Sequence, residues 1–230
     1  MKLPLSKRLQ VCAGFVAHGE RVADIGCDHG YLGIQLLLEG IAVSVIAADI
    51  NPGPLHAAMI NSEKYGVRDK MHFYLSDGVQ SIPRDFDSLV FAGVGADTMI
   101  SVLEAAPWLK SKQYRLILQC QSKTPYLRQY LSENGWRITE ETVLRDGRFL
   151  YTVMEVSFQS GYTLTPGECY FPPALLENPS TEVPAYYQWV LHGLQLSASH
   201  RCDTFQSDAL RQLQALTEQP ELRFLKETST

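Results

Sequence analysis

Residues 21–31, RVADIGCDHGY, read as a short buried strand (Val22, Ala23, Ile25), a tight turn between Gly26 and Gly30, and a helix beginning near Tyr31. A strand that feeds a glycine-bearing turn and a helix leaves backbone N–H groups at the helix N-terminus for a ligand to use. Glycine suits such a turn because a side chain would hold the ligand off the backbone. The spacing is G-x-x-x-G, not the G-x-G-x-x-G of dinucleotide sites. Asp28 stands where a phosphate-cradling loop carries glycine, and a carboxylate beside a pyrophosphate would repel it. The loop therefore suits a zwitterionic or cationic ligand. Any α/β domain has a turn of this kind, so the flanking chain decides its purpose.

Outward from that stretch, strands and helices alternate. Tyr31–Glu39 is a short apolar helix ending at Gly40, and Ala42–Ala48 is a continuous apolar run ending in Asp49. Continuous rather than alternating hydrophobicity is what a parallel strand covered on both faces requires. Pro52–Tyr65 reads as a helix, with Pro52 early and Gly66 past its end. Met71–Leu75 and Phe86–Ala92 are the third and fourth strands, ending in Ser76-Asp77-Gly78 and Gly93-Val94-Gly95. Helix Thr98–Leu109, strand Tyr114–Cys120 and helix Thr124–Asn134 follow. Trp136–Leu144 and Phe149–Phe158 close the series, joined at Asp146-Gly147, a strong hairpin signal. The order β-α-β-α-β-(α)-β-α-β-α-β-β predicts an α/β fold, a doubly wound, seven-stranded, mainly parallel sheet.

The flanks are less regular. Residues 1–20 read as an entering helix, and Gly161–Pro184, rich in proline and aromatics, as an irregular lead-out. Pro184–His200 and Asp203–Glu218 read as two helices in a hairpin or short coiled coil, with a frayed tail past Pro220. The chain is thus expected to divide into a sheet domain, 1–160, and a helical appendage, 161–230.

Composition narrows the function. The chain has 230 residues, 45% hydrophobic and 20% charged, enough for one domain and an appendage. No apolar run approaches the roughly 18 residues of a membrane span, and the N-terminus lacks a signal-peptide pattern. Five scattered cysteines without C-x-x-C spacing argue against a metal site or disulfide framework and fit a reducing cytoplasm. With net charge −5 there is no global basic field, so a nucleic-acid partner must be held by local patches. Lys2, Lys7 and Arg8 form one such cluster, with a solvated helix start as the plainer alternative.

In an open parallel sheet, ligands bind at the carboxyl ends of the strands. Asp24–Gly30 follows the first strand, Asp49 and Asn51 end the second, Asp77 and Gly78 the third, and Gly93 and Gly95 the fourth. A carboxylate ending the second strand can accept two ribose hydroxyls, and Asp77 can accept from an adenine amino group. Asp28 suits a ligand carrying an amine. Each Asp alone is more often a cap or turn former. Four at one sheet edge describe S-adenosylmethionine better than NAD.

The segments Leu5-Ser6-Lys7-Arg8-Leu9, VADIGCDHGYL, AADINPGPLHAA, SDGV and LILQ resemble the bacterial tRNA (adenine-22-N1) methyltransferase family. The resemblance covers residues 1–158 well and the appended helices in architecture only. It implies a Rossmann-like class I methyltransferase fold, S-adenosylmethionine as donor, and a helical extension that assists tRNA binding. By position it implies a donor site at Asp24, Gly26, Asp28, Asp49, Asn51, Asp77, Gly78 and Gly93. Adenine N1 carries an in-plane lone pair and needs no strong base, so Asp28 is the catalytic candidate beside the cationic product ring, and His29 a positioning donor or a simple cap. Lys2, Lys7, Arg8, Arg145 and Arg148 are the expected tRNA contacts, and a monomer is favoured.

Two segments depart from the family pattern. G-M-G-G after strand four is Gly93-Val94-Gly95-Ala96-Asp97 here, and L-Q-P-N after strand five is Leu118-Gln119-Cys120-Gln121. From residue 161 onward there are eight acidic residues against four basic, the reverse of what backbone binding wants. A same-fold methyltransferase acting on a small molecule or protein, and a donor-binding module that has lost transfer, stand as alternatives.

Overall fold

The computed structural model describes residues 3–177, 179–198 and 203–226. Lys2, one of the expected tRNA contacts, lies outside them. Helix α1 (Lys7–Gly14) leads into β1 (Glu20–Ile25), α2 (Tyr31–Leu38), β2 (Ala42–Asp49), α3 (Pro52–Lys64) and β3 (Met71–Leu75). Then come β4 (Ser88–Val94), α4 (Ala96–Ala105), β5 (Arg115–Cys120) and α5 (Thr124–Glu133). The hairpin β6 (Trp136–Asp146) and β7 (Phe149–Phe158) completes a seven-stranded sheet of order β3-β2-β1-β4-β5-β7-β6. Strands β1 to β5 are mutually parallel, and β7 runs antiparallel to both β5 and β6.

The continuous apolar strands are explained by cover on both faces. In β4, Leu89 and Phe91 join the core under α4 and α5, whereas Val90 joins the core under α1 to α3. In β1, Ala23 and Val22 divide in the same way. Successive side chains point to opposite faces, so both must be apolar.

Three details differ from the sequence reading. The connection between β3 and β4, where a helix was optional, is a turn with Gly78 at φ +56°. Strand β4 begins two residues after Phe86; the intervening Asp87 still bonds through its backbone to Arg21 and Arg115, and its side chain accepts from the Arg21 N–H at 2.9 Å. Helix α4 starts at Ala96 and stops at Ala105, because Pro107 has no N–H to continue it; Pro107–Leu109 forms a separate 3₁₀ turn.

The last third of the chain is more ordered than expected. Residues 161–184 contain α6 (Pro166–Tyr170), opened by a Thr165/Glu168 capping box, and α7 (Ala174–Glu177). Helices α8 (Val183–Ala198) and α9 (Thr204–Leu216) enclose a small core with Phe171, Leu175 and Val143 of β6. The segment Pro220–Lys226, expected to fray, is a 3₁₀ helix whose Leu225 is buried and whose Leu225 carbonyl accepts from Gln188 Nε2 at 2.7 Å. Burial of Leu225 against α8 holds it.

A buried ion pair ties these helices to the sheet. Arg128 of α5 donates from Nη2 to Glu141 Oε1 of β6 at 2.6 Å, and both side chains are fully buried. Arg128 also donates to the Cys169 and Tyr170 carbonyls at 2.9 and 3.1 Å and to the Tyr186 hydroxyl at 3.2 Å. At the hairpin, Arg145 forms an ion pair with Glu182 at 2.8 Å. Among the described residues no helix is long and apolar enough to cross a membrane.

Candidate active site

Carboxylates at the two edges of the sheet are treated differently. At the amino edge, Arg21 pairs with Asp87 at 2.8 Å and Arg115 pairs with Glu20 at 2.9 Å. At the carboxyl edge, none of Asp24, Asp28, Asp49 and Asp77 pairs with a lysine or arginine among the described residues. That edge is left open to a cation.

A cleft of about 360 Å³ opens there, lined by Asp24 and the Gly26–His29 turn, by Arg8 of α1, and by Gly93 at the end of β4. The turn takes its shape from three left-handed residues, Gly26 (φ +73°), Asp28 (φ +49°) and Gly30 (φ +71°). Aspartate tolerates that conformation better than most side chains. Gly30 is required for a reason other than ligand access: a Cβ there would lie 2.9 Å from the Ala58 Cβ of α3. Gly93 sits where the β4–β5 register shifts, at φ +83°, so the strand bulges out toward the cleft.

Asp24 is the buried centre of the cleft. It is 3% exposed, and its Oδ2 atom has no hydrogen-bond partner. Burial, reinforced by the nearby Asp49, pushes its carboxyl up to about 7, with the Gly33 N–H at the start of α2 opposing. A lone buried carboxylate oxygen facing a cleft is an acceptor waiting for a donor. Asp49 accepts from the Asp28 N–H at 3.3 Å and the Asn51 N–H at 2.9 Å, which locks the turn to the end of β2.

The expected site residues fall into groups. Asp24, Gly26, Asp28, His29 and Gly93 line the one cleft, and Asp49 braces it from behind. Asp28 and His29 are exposed at its mouth, with His29 Nε2 3.7 Å from Asp28 Oδ1. Asn51 stands at the N-terminal boundary of α3, outside the lining and with no side-chain cap to the helix, and Asp77 lines a separate small recess with Val102. Gly78 is needed for packing, because a Cβ there would lie 2.5 Å from Val102 Cγ2.

Among the expected tRNA contacts, Arg8 lies in the cleft wall. Its Nη1 donates to Gln119 Oε1 at 3.1 Å, its Nε is 3.6 Å from Asp146 Oδ2, and its guanidinium lies 5.0 Å over the Tyr151 ring. Sequence reasoning placed Arg8 on the surface, since nothing local links it to β5 or β7. Arg145 is held by Glu182, the Arg148 guanidinium stacks 4.9 Å over Phe149, and Lys7 is exposed. Cys120 is 3% exposed with its thiol pushed up by burial, an unreactive strand-end cysteine.

A doubly wound sheet with the closing antiparallel strand and this acidic cleft at its carboxyl edge defines a Rossmann-like, class I methyltransferase. Residues 5–154 match the family model described as a methyltransferase domain. The chain is 32% identical to the tRNA (adenine(22)-N(1))-methyltransferase of Bacillus subtilis over 154 residues, 66% of this chain and 65% of that protein. The crystal structure of the Bacillus subtilis m1A22 tRNA methyltransferase TrmK superposes with a TM-score of 0.76 and 26% identity, covering 98% of each chain. A Streptococcus pneumoniae protein, described as a candidate tRNA (m1A22) methyltransferase and solved with S-adenosyl-L-methionine, gives 0.81 and 27% over 92% of this chain and 98% of that one. The chain belongs to the methyltransferase-domain family. The sequence match spans just under two thirds of the Bacillus protein, whereas the structural matches span nearly the whole chain.

Proposed function

We propose that the protein methylates N1 of adenine 22 in tRNA, with S-adenosylmethionine as donor bound in the cleft at the carboxyl edge. The observation that carries this reading is the unpartnered, buried Asp24 Oδ2 in a cleft that Arg8 also lines. A carboxylate and a guanidinium on the walls of one cleft fit the ammonium and carboxylate of an amino-acid ligand. Asp49 retains lone pairs for ribose hydroxyls, and Asp28 and His29 stand at the mouth. Asn51, Asp77 and Gly78 belong to the proposed site as its outer, adenine-side boundary, and Gly26 and Gly93 as its backbone walls.

When bound, the donor supplies a methyl group on a positively charged sulfur that departs as a neutral thioether. Adenine N1 presents its lone pair in the ring plane, so no residue need remove a proton before attack. The chain's work is then to hold the donor, align the base and exclude water. Positive charge develops on the ring, and the Asp28 carboxylate favours it electrostatically. Residues 1–160 carry this chemistry and the named cationic contacts, and the helices of 161–230 assist tRNA binding. Lys7 and Arg148 offer free cationic surface to the phosphates, and Lys2 extends the cluster in sequence. Arg8 and Arg145 contribute through the donor cleft and the Glu182 tether.

Labelled S-adenosylmethionine incubated with the protein and total bacterial tRNA tests the reading. Label in tRNA as 1-methyladenosine is expected, and Asp28→Asn should lower the transfer rate about tenfold or more at saturating donor. Bound donor with no labelled tRNA would favour a donor-binding module, and labelled protein or small molecule a different acceptor.

A further inference from the structure

A second cleft, about 660 Å³ and the larger of the two, opens beside the donor cleft. It lies between the turn 120–125 after β5, residues 149–152 of β7, and α8. That volume is within the ordinary range for small-molecule sites, roughly 300–1,000 Å³. Two aromatic pairs line it. Phe149 and Tyr151 of β7 have ring centroids 6.2 Å apart, and Tyr186 and Trp189 of α8 have theirs 5.8 Å apart at 34°.

The two clefts communicate. Gln121 lines both. Arg8, in the wall of the donor cleft, carries its guanidinium over the ring of Tyr151, in the wall of the aromatic cleft. An occupant of the second cleft therefore lies next to the donor.

Trp189 is the feature the fold does not explain. It is 62% exposed, whereas Trp136 is fully buried and Trp108 packs against the core. One turn on, Gly193 leaves the space above the helix open, since a Cβ there would meet nothing within 4 Å. Tyr186, by contrast, is anchored by the hydrogen bond from Arg128, so the wall behind Trp189 is rigid. Cations flank the opening: Lys123, paired with Asp97 at 2.7 Å, and Arg148 over Phe149.

We propose that this cleft receives the acceptor purine, turned out of the RNA stack, with Trp189 and Tyr151 as its stacking faces; the proposal rests on the tRNA reading above. Enzymes that act on a base extrude it and hold it between aromatic or apolar side chains. A flat, neutral ring suits two aromatic pairs, and the flanking cations suit the phosphates on either side of it. Gln121, at the junction, is placed to read the base edge, and a glutamine amide pairs with the N6/N7 edge of adenine.

The experiment pairs Trp189→Ala with Trp189→Phe. With unmodified tRNA transcript and S-adenosylmethionine, Trp189→Ala should raise KM for tRNA about tenfold or more, the scale of losing one stacking face. Trp189→Phe should restore most of that loss, and calorimetric affinity for S-adenosylmethionine should be unchanged in both. In the wild type, tRNA added with S-adenosylhomocysteine should quench the fluorescence of the exposed tryptophan, and the quench should be absent from both variants. An unimpaired Trp189→Ala, or tRNA binding without a quench, overturns the cleft assignment and leaves the methyltransferase reading standing. Failure of the wild type to transfer methyl to tRNA overturns that reading instead, and the quench alone then decides the cleft.

Discussion

Burying the Asp24 carboxylate carries a cost that protonation relieves at low pH and a cationic ligand would relieve above it. Its carboxyl rises from 3.8 to about 7 on folding, chiefly through burial. The folded protein therefore binds more protons than the unfolded chain between those values. Stability falls as pH rises from about 4 to about 7, and the full cost is present above 7. Three units correspond to roughly 4 kcal/mol at 1.36 kcal/mol each. Asp24→Asn is expected to be more stable than wild type at pH 8, by less at pH 5, and little changed at or below about pH 4, as measured by urea unfolding without donor. The same substitution removes the partner proposed for the donor's ammonium, so calorimetry at pH 8 should show donor affinity falling about tenfold or more. A variant no more stable at pH 8, or one binding donor as tightly as wild type, contradicts the role given to Asp24. The motif around Asp24 was legible because Asp24, Gly26 and Asp28 are neighbours in the chain and form the turn themselves. Arg8 was not legible as a wall of the same cleft. Its placement depends on Gln119 and Tyr151, more than 100 residues away.

Among the elements, α5 and β6 hold the molecule together through Arg128 and Glu141. Removing one partner of a fully buried pair leaves a bare charge in the core, at a cost of roughly 3–5 kcal/mol. Arg128→Met should lose about that much in urea unfolding, and the double substitution with Glu141→Leu should recover most of it. A single variant within about 1 kcal/mol of wild type would show that water reaches Glu141. The strands themselves were legible, since buried parallel strands need continuous apolar runs and the Asp146-Gly147 turn announces a hairpin. The start of β4 was not, because Phe86 is buried under Tyr114 and Trp108 without being in the strand. The aromatic cleft was also hidden: Gln121, Tyr151 and Trp189 come from three elements and have no local spacing to betray them.

At the scale of the whole molecule, a chain of net charge −5 has no global basic field, so the tRNA proposed as its substrate depends on the placement of local cations. Glu20 and Asp87 at the amino edge of the sheet are neutralised by Arg115 and Arg21, while Asp24, Asp28 and Asp49 at the carboxyl edge have no lysine or arginine partner among the described residues. The C-terminal helices add an aromatic wall with flanking cations beside that donor. Family membership, donor cleft and aromatic cleft meet in one claim, methyl transfer to a single tRNA adenine. It is tested most directly with two unmodified tRNA transcripts that differ only in carrying adenine or guanine at position 22. Each is incubated with the protein and labelled S-adenosylmethionine, and the modified base is mapped by primer extension. Label and an extension stop at position 22 are expected in the adenine transcript and neither in the guanine transcript. Equal labelling of the two, or a stop at a different adenine, would contradict the claim.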